Sequence, residues 1–393
     1  MMIRRRDVLH AAVSHGLAFW SIAAFGQTKG KEQKKAAPSP VQADDRVNQI
    51  LAPVRDEHHL PGLIGAIITG NRLAAIGAIG IRKFGAPEVM TVTDQVHIGS
   101  CTKAMTATLI GTLIDENKLS SGTTIREVFP KDAPQLHPDF QGVTLLQLLT
   151  HRAGLPANGP WGQLSGNTAT EQRRDLLARM LKKAPQSQPG STFTYSNVGY
   201  ALAGLMAEEV TGESWEALMR RRLFEPLGMN SAGFGAPGHP GQVDQPWGHH
   251  PSGKENTPTQ QDNVPALGPA GTVHCTLPDW AQFAVLHREG AREQGKLLKP
   301  ATFRMLHTPP SGKDYACGWV VATKPWGGGS PTLWHNGSNT SWFATISIAP
   351  ARDFAVLIAT NVGGGSAAKA CDQAAAKLME SLAVFSDHSS QER

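Results

Sequence analysis

Apolar residues follow two different spacings along the chain, and the change of spacing predicts where strands give way to helices. Residues 61–85, PGLIGAIITGNRLAAIGAIGIRKFG, form two apolar runs separated by Gly70-Asn71, a pair that is typical of a β-hairpin turn. From Ser100 onward the spacing becomes helical, with apolar side chains every three or four positions between residues 105 and 114. The chain is therefore predicted to pass from a hairpin into a helix.

The middle of the chain keeps the helical spacing until about residue 230. A second clear helix is predicted over residues 198–212, VGYALAGLMAEEVTG. Gly212 suits its C-terminal end, because glycine adopts the left-handed conformation that often closes a helix. Residues 231–271 are dense in Gly, Pro and His, and we expect a long irregular segment there.

Strand-like patterns return in the last third of the chain. The four runs are CGWVVATKP (317–325), PTLWHNG (331–337), SWFATISIAP (341–350) and FAVLIATNV (354–362). Turn residues separate them, and a last helix is expected from about Ala367 to Leu382. Strands at both ends of a helical middle predict an α+β fold, with one antiparallel sheet assembled from the two ends of the chain and flanked by helices.

These patterns predict one folded unit over residues 45–385. Its sheet part is expected at about residues 45–100 and 275–385, and a mostly helical part is inserted at about residues 101–274. Residues 386–393 are expected to be a tail. The full length of 393 residues is enough for a sizeable buried core.

The N-terminal segment is predicted to contain an export signal followed by a linker. Residues 1–26, MMIRRRDVLHAAVSHGLAFWSIAAFG, combine a basic start, a mostly apolar stretch and small residues, and Arg5-Arg6 resembles the pair of a twin-arginine export signal. We therefore expect an exported, periplasmic or secreted protein, the alternative being a disordered basic tail. The stretch is too short and too polar for a stable membrane span, and residues 27–44 are predicted to be a linker.

The formal net charge of +5 is concentrated at the N-terminus. Three arginines within residues 1–26 and four lysines within residues 27–43 supply the excess, so the rest of the chain is close to neutral. A neutral body argues against a nucleic-acid partner.

Four cysteines and fifteen histidines raise the question of thiol or metal chemistry. No C-x-x-C and no H-E-x-x-H occurs, so no metal or other cofactor is expected. Disulfides are possible in an exported protein, but their pairing cannot be read from the sequence. Cys101 follows Ser100, and because adjacent helical residues point about 100° apart, we expect Cys101 to face the core.

Two S-x-x-K motifs occur, and their surroundings differ. Residues three apart share a helix face, so the lysine amine can reach the serine hydroxyl and, if its pKa is lowered, accept the hydroxyl proton. Ser100 and Lys103 stand where a long helix begins, and the Ser100 N–H is free there to bind an oxyanion. Ser366 and Lys369 stand where the last helix begins, and Ser366 is explained as an N-cap.

A single Y-x-N motif lies in the segment STFTYSNVGY. In an extended segment before a helix, positions two apart face the same way, so Tyr195 and Asn197 can face one cleft. The alternative is a buried tyrosine followed by an Asn N-cap.

Three H-x-G motifs begin at His97, His239 and His335. Only the motif of His335 lies between two strong strand patterns. A glycine on a strand, here Gly337, lets a ligand approach the backbone, and the next residue, Ser338, offers a second N–H to an oxyanion.

With serine–lysine, tyrosine–asparagine and histidine–glycine in this order, the chain resembles the serine β-lactamase and penicillin-binding superfamily, in the branch of class C β-lactamases, serine DD-peptidases and related esterases. Further similar segments follow in the family's order over about residues 45–385: IGSCTKAMTATLIGTLIDENKLS, LLQLLTHRAGLP, FTYSNVGYALAGLMAEEVTGESW, LFEPLGMNSAGFG, GPAGTVHCTLPDWAQFA and WHNGSNTSWFATISIAP. The resemblance implies an antiparallel sheet flanked by helices, an all-helical part beside it, and a site in the groove between them.

The resemblance also implies a role for each motif residue. The implied positions are the nucleophile Ser100, its base Lys103, the acid/base Tyr195, the substrate contacts Asn197, His335, Gly337 and Ser338, and an oxyanion hole made by the backbone N–H groups of Ser100 and Ser338.

Two departures from the family pattern bear on the substrate. β-Lactamases usually carry a lysine in the third motif, a permanent cation that recognises a substrate carboxylate, whereas this chain has His335, whose charge depends on pH. Relatives with histidine there are more often peptidases or esterases. No glutamate motif for deacylation is present, so Tyr195, Lys103 or the substrate must activate the water.

The sequence thus predicts a serine hydrolase that acts through an acyl-enzyme on amide or ester bonds. D-Peptides, small esters and β-lactams are all compatible substrates, and the oligomeric state is open. The alternative is a binding protein for penicillin or cell-wall ligands without turnover. The absence of G-x-S-x-G argues against an α/β-hydrolase.

Overall fold

The structure is a computed structural model that describes residues 41–252 and 255–386. The predicted export signal, most of the predicted linker and nearly all of the predicted tail lie outside these residues. Within them, no helix is long and apolar enough to cross a membrane.

Eleven strands are present in the described part of the chain: β1 Gly62–Thr69, β2 Arg72–Gly80, β3 Gln95–His97, β4 Gly233–Phe234, β5 Gly248–Ser252, β6 Glu255–Thr259, β7 Val273–Thr276, β8 Val320–Thr323, β9 Pro331–Ser338, β10 Phe343–Ala349 and β11 Phe354–Thr360. Six of them form one antiparallel sheet in the order β2-β1-β11-β10-β9-β8. This confirms the predicted hairpin, the four C-terminal strands and the assembly of one sheet from both ends of the chain.

The helices of the described residues fill the rest of the fold: α1 Asp45–Glu57, α2 Thr102–Asp115, α3 Ile125–Val128, α4 Pro138–Gln141, α5 Leu145–Leu149, α6 Ala169–Leu181, α7 Asn197–Thr211, α8 Trp215–Met219, α9 Glu225–Leu227, α10 Gly268–Gly271, α11 Leu277–Ala291, α12 Pro300–His307, α13 Gly364–Glu380 and α14 Leu382–Ser386. Gly212 closes α7 with φ +71°, as predicted. The α+β fold expected from the sequence is confirmed.

Helices cover both faces of the six-stranded sheet. α1 and α13 pack on one face, where Leu51, Leu63 and Val356 share a buried core. α11 packs on the other face, where Ile64 and Leu357 belong to a second and larger core. Because both faces are covered, β10 and β11 are buried along their whole length, which explains their continuous apolar pattern.

α2 is enclosed on all sides, although its sequence pattern predicts a single apolar stripe. Every residue from Thr102 to Leu113 is buried, because the positions between the large apolar residues are mostly small. The hydroxyl of Thr108 donates to the carbonyl of Ala104 at 2.7 Å, so this buried polar group is satisfied within the helix.

The structure corrects two local expectations. Residues 231–271 contain β4, the hairpin β5–β6 and α10 rather than only irregular chain. The hairpin could not be predicted from apolar spacing, because most of its residues are polar. Ser366 is not an N-cap: Gly363 occupies that position of α13, and Ser366 is exposed one turn further along.

Candidate active site

Ser100 lies in a tight turn that leads directly into α2. Gly99 has a φ of +50°, and a Cβ there would stand 2.3 Å from the backbone nitrogen of Ser338. A Cβ on Gly337 would stand 2.1 Å from the carbonyl oxygen of Ile98 and 2.5 Å from the backbone nitrogen of Ser100. The two glycines therefore allow β9 and the Ser100 turn to touch, which brings the backbones of Ser100 and Ser338 together.

Lys103 is the second residue of α2 and is completely buried. Its Nζ lies 3.0 Å from the Ser100 Oγ, 2.8 Å from the Asn197 Oδ1 and 2.8 Å from the carbonyl oxygen of Ala270. Burial lowers the pKa of Lys103 to about 7, since the charged amine is costly to desolvate. A large fraction of this amine is therefore neutral near pH 7.

The hydrogen-bond partners of Lys103 fix how its neutral amine is oriented. The side-chain nitrogen of Asn197 donates to the Asn158 Oδ1 at 2.9 Å, so the Asn197 oxygen faces Lys103. That oxygen and the Ala270 carbonyl can only accept, and together they use the two N–H bonds of a neutral amine. The nitrogen lone pair is left for the Ser100 hydroxyl.

Tyr195 lies on the other side of Ser100 and is half-buried. Burial raises the pKa of its phenol above the ordinary value, and a hydrogen bond with the Ser100 side chain acts in the opposite direction. The Lys103 Nζ stands 4.8 Å from the centre of the Tyr195 ring. Tyr195 therefore keeps its proton near neutral pH and can donate it.

Asn197 is the first residue of α7, and it does not act as an N-cap. Ser196 has that role, because its side chain accepts from the backbone N–H of Gly199 at 3.1 Å. The Asn197 side chain is thereby free to contact Lys103. The sequence alternative of an Asn N-cap is wrong.

His335 is a buried residue of β9 that holds no charge near neutral pH. Burial and the nearby Lys103 lower the pKa of its imidazole to about 3. Its Nδ1 lies 2.5 Å from the carbonyl oxygen of Asn336, which can only accept, so Nδ1 carries the proton. Its Nε2 then accepts from the Tyr315 hydroxyl at 3.1 Å.

A cleft of about 520 Å³ opens over these groups. Its lining residues are Ser100, Phe193, Tyr195, Asp314, Tyr315, Val320, Trp334, His335, Asn336, Gly337, Ser338 and Phe343. Five predicted site residues are among them, while Lys103 and Asn197 lie behind Ser100. Among the described residues, no lysine or arginine lines the cleft, and five of the twelve lining residues are Phe, Tyr or Trp.

Two residues that sequence reasoning did not single out support the site. Tyr315 holds His335, and His151 packs against Tyr195 with their ring centres 4.4 Å apart. The His151 Nδ1 accepts from the backbone N–H of Ser196 at 3.0 Å. Tyr315 lies outside every motif, and His151 carries no signal beyond its place in the segment LLQLLTHRAGLP.

The residues that the structure describes form no disulfide and no cluster of metal-binding side chains. All four cysteines are buried and unpaired. Cys101 is buried as predicted, and its Sγ faces the carbonyl oxygen of His335 at 3.6 Å. No group of three metal-binding side chains comes together in this part of the chain.

Comparison with known proteins gives one consistent result. The family model for Beta-lactamase matches residues 47–380. The chain is 27% identical to penicillin-binding protein 4 of Amycolatopsis lactamdurans, over 79% of this chain and 83% of that protein. It is 25% identical to unguisins hydrolase ungD′ of Aspergillus campestris, over 81% of this chain but only 61% of that protein.

A solved structure supports the fold independently. The D-alanine carboxypeptidase AmpC of Burkholderia cenocepacia superimposes with a TM-score of 0.70 at 19% identity, covering 86% of this chain and 98% of that one. Since the family model spans most of the sequence and the fold agrees, this chain belongs to the β-lactamase family.

Proposed function

We propose that the protein is a serine hydrolase that cleaves esters or amides through an acyl-enzyme on Ser100. The observation that carries the proposal is the position of Lys103, a buried amine 3.0 Å from the Ser100 hydroxyl with its two other hydrogen-bond partners restricted to accepting. Relatives described as a hydrolase and as a penicillin-binding protein support hydrolase-type activity in general.

The first step is attack on the substrate carbonyl. The Ser100 hydroxyl proton moves to the lone pair of Lys103 as Oγ forms a bond to the carbonyl carbon. The negative charge that develops on the carbonyl oxygen is stabilised by the backbone N–H groups of Ser100 and Ser338. An oxyanion donor of this kind typically lowers the barrier by about 3 kcal/mol.

The second step releases the leaving group. The Tyr195 hydroxyl donates its proton to the leaving oxygen or nitrogen, and the Lys103 ammonium returns a proton to Tyr195. The ring of Tyr195, 4.8 Å from Nζ, also favours the ammonium while it exists. Hydrolysis of the acyl-enzyme repeats the sequence with water in place of the serine.

The charge of the cleft favours acyl donors that carry no carboxylate near the reacting bond. His335 is neutral, the described lining contains no lysine or arginine, and Asp314 is the charged residue on its wall. A substrate carboxylate would lose its hydration there without gaining a cationic partner. We therefore propose uncharged esters or amides as preferred substrates over penicillins and peptides with a terminal carboxylate.

Hydrolysis of two matched p-nitrophenyl esters, one neutral and one with a carboxylate on the acyl chain, tests this proposal. We expect the neutral ester to be hydrolysed with the higher kcat/KM, and Ser100→Ala to abolish both activities. Ser366→Ala is the matched control, since it removes the serine of the other S-x-x-K motif and is expected to leave both rates unchanged. Hydrolysis that persists in Ser100→Ala contradicts the mechanism.

A binding protein without turnover is the second candidate, and the name of the Amycolatopsis relative favours it. Incubation with a labelled penicillin separates the two functions. A stable covalent adduct together with no ester turnover supports the binding protein, whereas ester turnover supports the hydrolase.

A further inference from the structure

The H-x-G motif at residues 97–99 lies directly behind the Ser100 turn. His97 is fully buried, and its Nδ1 accepts a hydrogen bond from the backbone N–H of Gly99 at 3.1 Å. An imidazole nitrogen that accepts carries no proton, so the ring proton is on Nε2. Nε2 donates to the carboxylate of Asp262, 3.1 Å away.

Asp262 reaches this position from the segment between β6 and α10. Its side chain is only 9% exposed, and its Oδ1 accepts from the side-chain nitrogen of Asn339 at 2.8 Å. Burial alone raises the pKa of the Asp262 carboxyl, but His97 and Asn339 more than offset it, so the pKa lies below its ordinary value. The carboxylate is therefore ionised and held by donors from two different parts of the chain.

Asn339 directly follows Ser338, whose N–H is the second proposed oxyanion donor. The Asn339 Oδ1 accepts from the backbone N–H and the hydroxyl of Ser341, which directs its nitrogen towards Asp262. The next residue, Thr340, has φ +77°, an unfavourable conformation for a β-branched side chain. Such a conformation persists only where surrounding contacts impose it.

We propose that Asp262 is a positioning residue for the oxyanion hole, acting through His97 on the Ser100 turn and through Asn339 on the end of β9. The inference rests on the proposed function, because it concerns the two N–H donors of that mechanism. One carboxylate ties the two donor-bearing segments together, and so sets the distance between the Ser100 and Ser338 N–H groups. Asp262 itself touches neither nucleophile nor base.

Asp262→Asn tests this role while nearly preserving the volume of the side chain. The amide nitrogen that replaces a carboxylate oxygen carries N–H groups, which face the N–H of His97 or of Asn339. One of the two hydrogen bonds, from His97 or from Asn339, is therefore lost. We expect kcat/KM for a neutral ester to fall about 10- to 100-fold, a large part of the effect of losing one oxyanion donor. The Kd of an arylboronic acid, which places a charged oxygen in the hole, is expected to rise by a similar factor.

Ground-state binding separates positioning from general damage. In a Ser100→Ala background, Asp262→Asn is expected to change the Kd of the intact ester by less than about twofold, because that ester has no oxyanion. Asp279→Asn is the matched control: Asp279 accepts from the backbone N–H and hydroxyl of Ser231, both at 2.6 Å, outside the cleft lining. It is expected to lower the melting temperature without changing kcat/KM.

A second variant keeps the proposal testable if Asp262→Asn folds poorly. Asn339→Ala removes one tie and leaves the His97–Asp262 bond intact, and it is expected to weaken boronic acid binding while ester binding in the Ser100→Ala background is unchanged. If Asn339→Ala has the same affinity for the boronic acid and the same kcat/KM as the wild-type protein, the positioning role of Asp262 is wrong and the proposed function is unaffected. Hydrolysis that does not depend on Ser100 overturns the inference and the proposed function together.

Discussion

The chemistry of the site depends on the protonation of two buried side chains, Lys103 and His335. Burial lowers the pKa of Lys103 to about 7 and that of His335 to about 3. Between these values His335 is neutral and Lys103 is mostly charged, and above about 7 both are neutral. Only Lys103 therefore changes its charge in the pH range where the enzyme is expected to work.

This difference predicts the shape of the pH profile. The base form of Lys103 is the neutral amine, so kcat/KM for a neutral ester should rise with pH and level off above about 7. His335→Gln should keep that limb of the profile, because His335 is already neutral there. A rate that is independent of pH between 5 and 9, or a limb lost in His335→Gln, would contradict the assignment of the base.

Removal of the Lys103 amine gives a direct comparison between the two S-x-x-K motifs. Lys103→Met should lower kcat/KM about 100- to 10,000-fold, the usual contribution of a general base. Lys369→Met, at the exposed second motif, should leave it unchanged. Steady-state ester hydrolysis measures both, and equal rates for the two variants would show that Lys103 is not the base.

A cation in the third motif should change substrate preference. His335→Lys places an amine on the cleft wall, where it can form a charged hydrogen bond to a substrate carboxylate. We therefore expect kcat/KM for a carboxylate-bearing ester, relative to that for its neutral counterpart, to rise about tenfold or more. His335→Met, of similar length but uncharged, is the control. An unchanged ratio in His335→Lys would mean that the charge of this position does not select the substrate.

Motif order in the sequence predicts the site residues, but it does not reveal their electrostatic state. Ser366-x-x-Lys369 has the same residue pattern as Ser100-x-x-Lys103, but Lys103 is buried whereas Ser366 and Lys369 are exposed. The neutrality of His335 depends on its burial and on the nearby Lys103, while the hydrogen bond from its Nδ1 to the Asn336 carbonyl acts in the opposite direction. The approach of Lys103 to His335 joins distant segments of the chain, so local sequence cannot report it.

At the scale of elements, the site depends on the contact between β9 and the turn that begins α2. The glycine of the third motif was predicted to let a ligand approach the backbone. In the structure, the closest neighbour of Gly337 is the Ser100 turn, since an added Cβ would stand 2.5 Å from the Ser100 nitrogen. Gly337 thus shapes the proposed oxyanion hole by allowing the Ser100 turn to approach β9.

Gly337→Ala is therefore expected to separate β9 from the Ser100 turn. We expect kcat/KM to fall at least about 100-fold, as for loss of an oxyanion donor, together with a lower melting temperature. Gly365→Ala is the matched control, because nothing lies within 4 Å of its added Cβ and alanine is the better helix former in α13. Near-normal activity in Gly337→Ala would contradict the proposed geometry of the hole.

Elements with strong apolar periodicity were predictable, and polar ones were not. β1, β10 and β11 bury continuous apolar runs, β2, β8 and β9 are partly exposed, and the sequence places all six strands correctly. The hairpin β5–β6, GHHPS paired with ENTPT, has no such run. Its location depends on contacts such as the hydrogen bond from the His249 backbone N–H to the carbonyl of Ser341, which join segments far apart in the sequence.

At the scale of the whole molecule, a buried ion network holds the helical part together. Arg173 of α6 is fully buried and bonds Glu208 of α7 and Glu216 of α8. It also donates to the carbonyl of Pro265 at 3.1 Å, next to α10, whose Ala270 accepts from Lys103. The network therefore connects three helices to the segment that accepts a hydrogen bond from Lys103, the proposed base.

Loss of Arg173 should destabilise the fold strongly. Arg173→Met leaves the Glu208 carboxylate buried without its cation, which typically costs about 3–5 kcal/mol of unfolding free energy. Arg174→Met is the control, since Arg174 of α6 pairs with Glu209 of α7 at the surface and an exposed pair contributes about 1 kcal/mol or less. Urea unfolding measures both, and equal losses would contradict a structural role for the buried network.

The acyl-enzyme on Ser100 can be observed by rapid quenching of the protein during turnover of p-nitrophenyl acetate, followed by intact-mass analysis and peptide mapping. We predict one acetyl group per chain on the peptide that contains Ser100, present in the wild-type protein and in Ser366→Ala and absent in Ser100→Ala. Ester turnover with no adduct on Ser100, or with the acetyl group on another residue, would contradict this prediction.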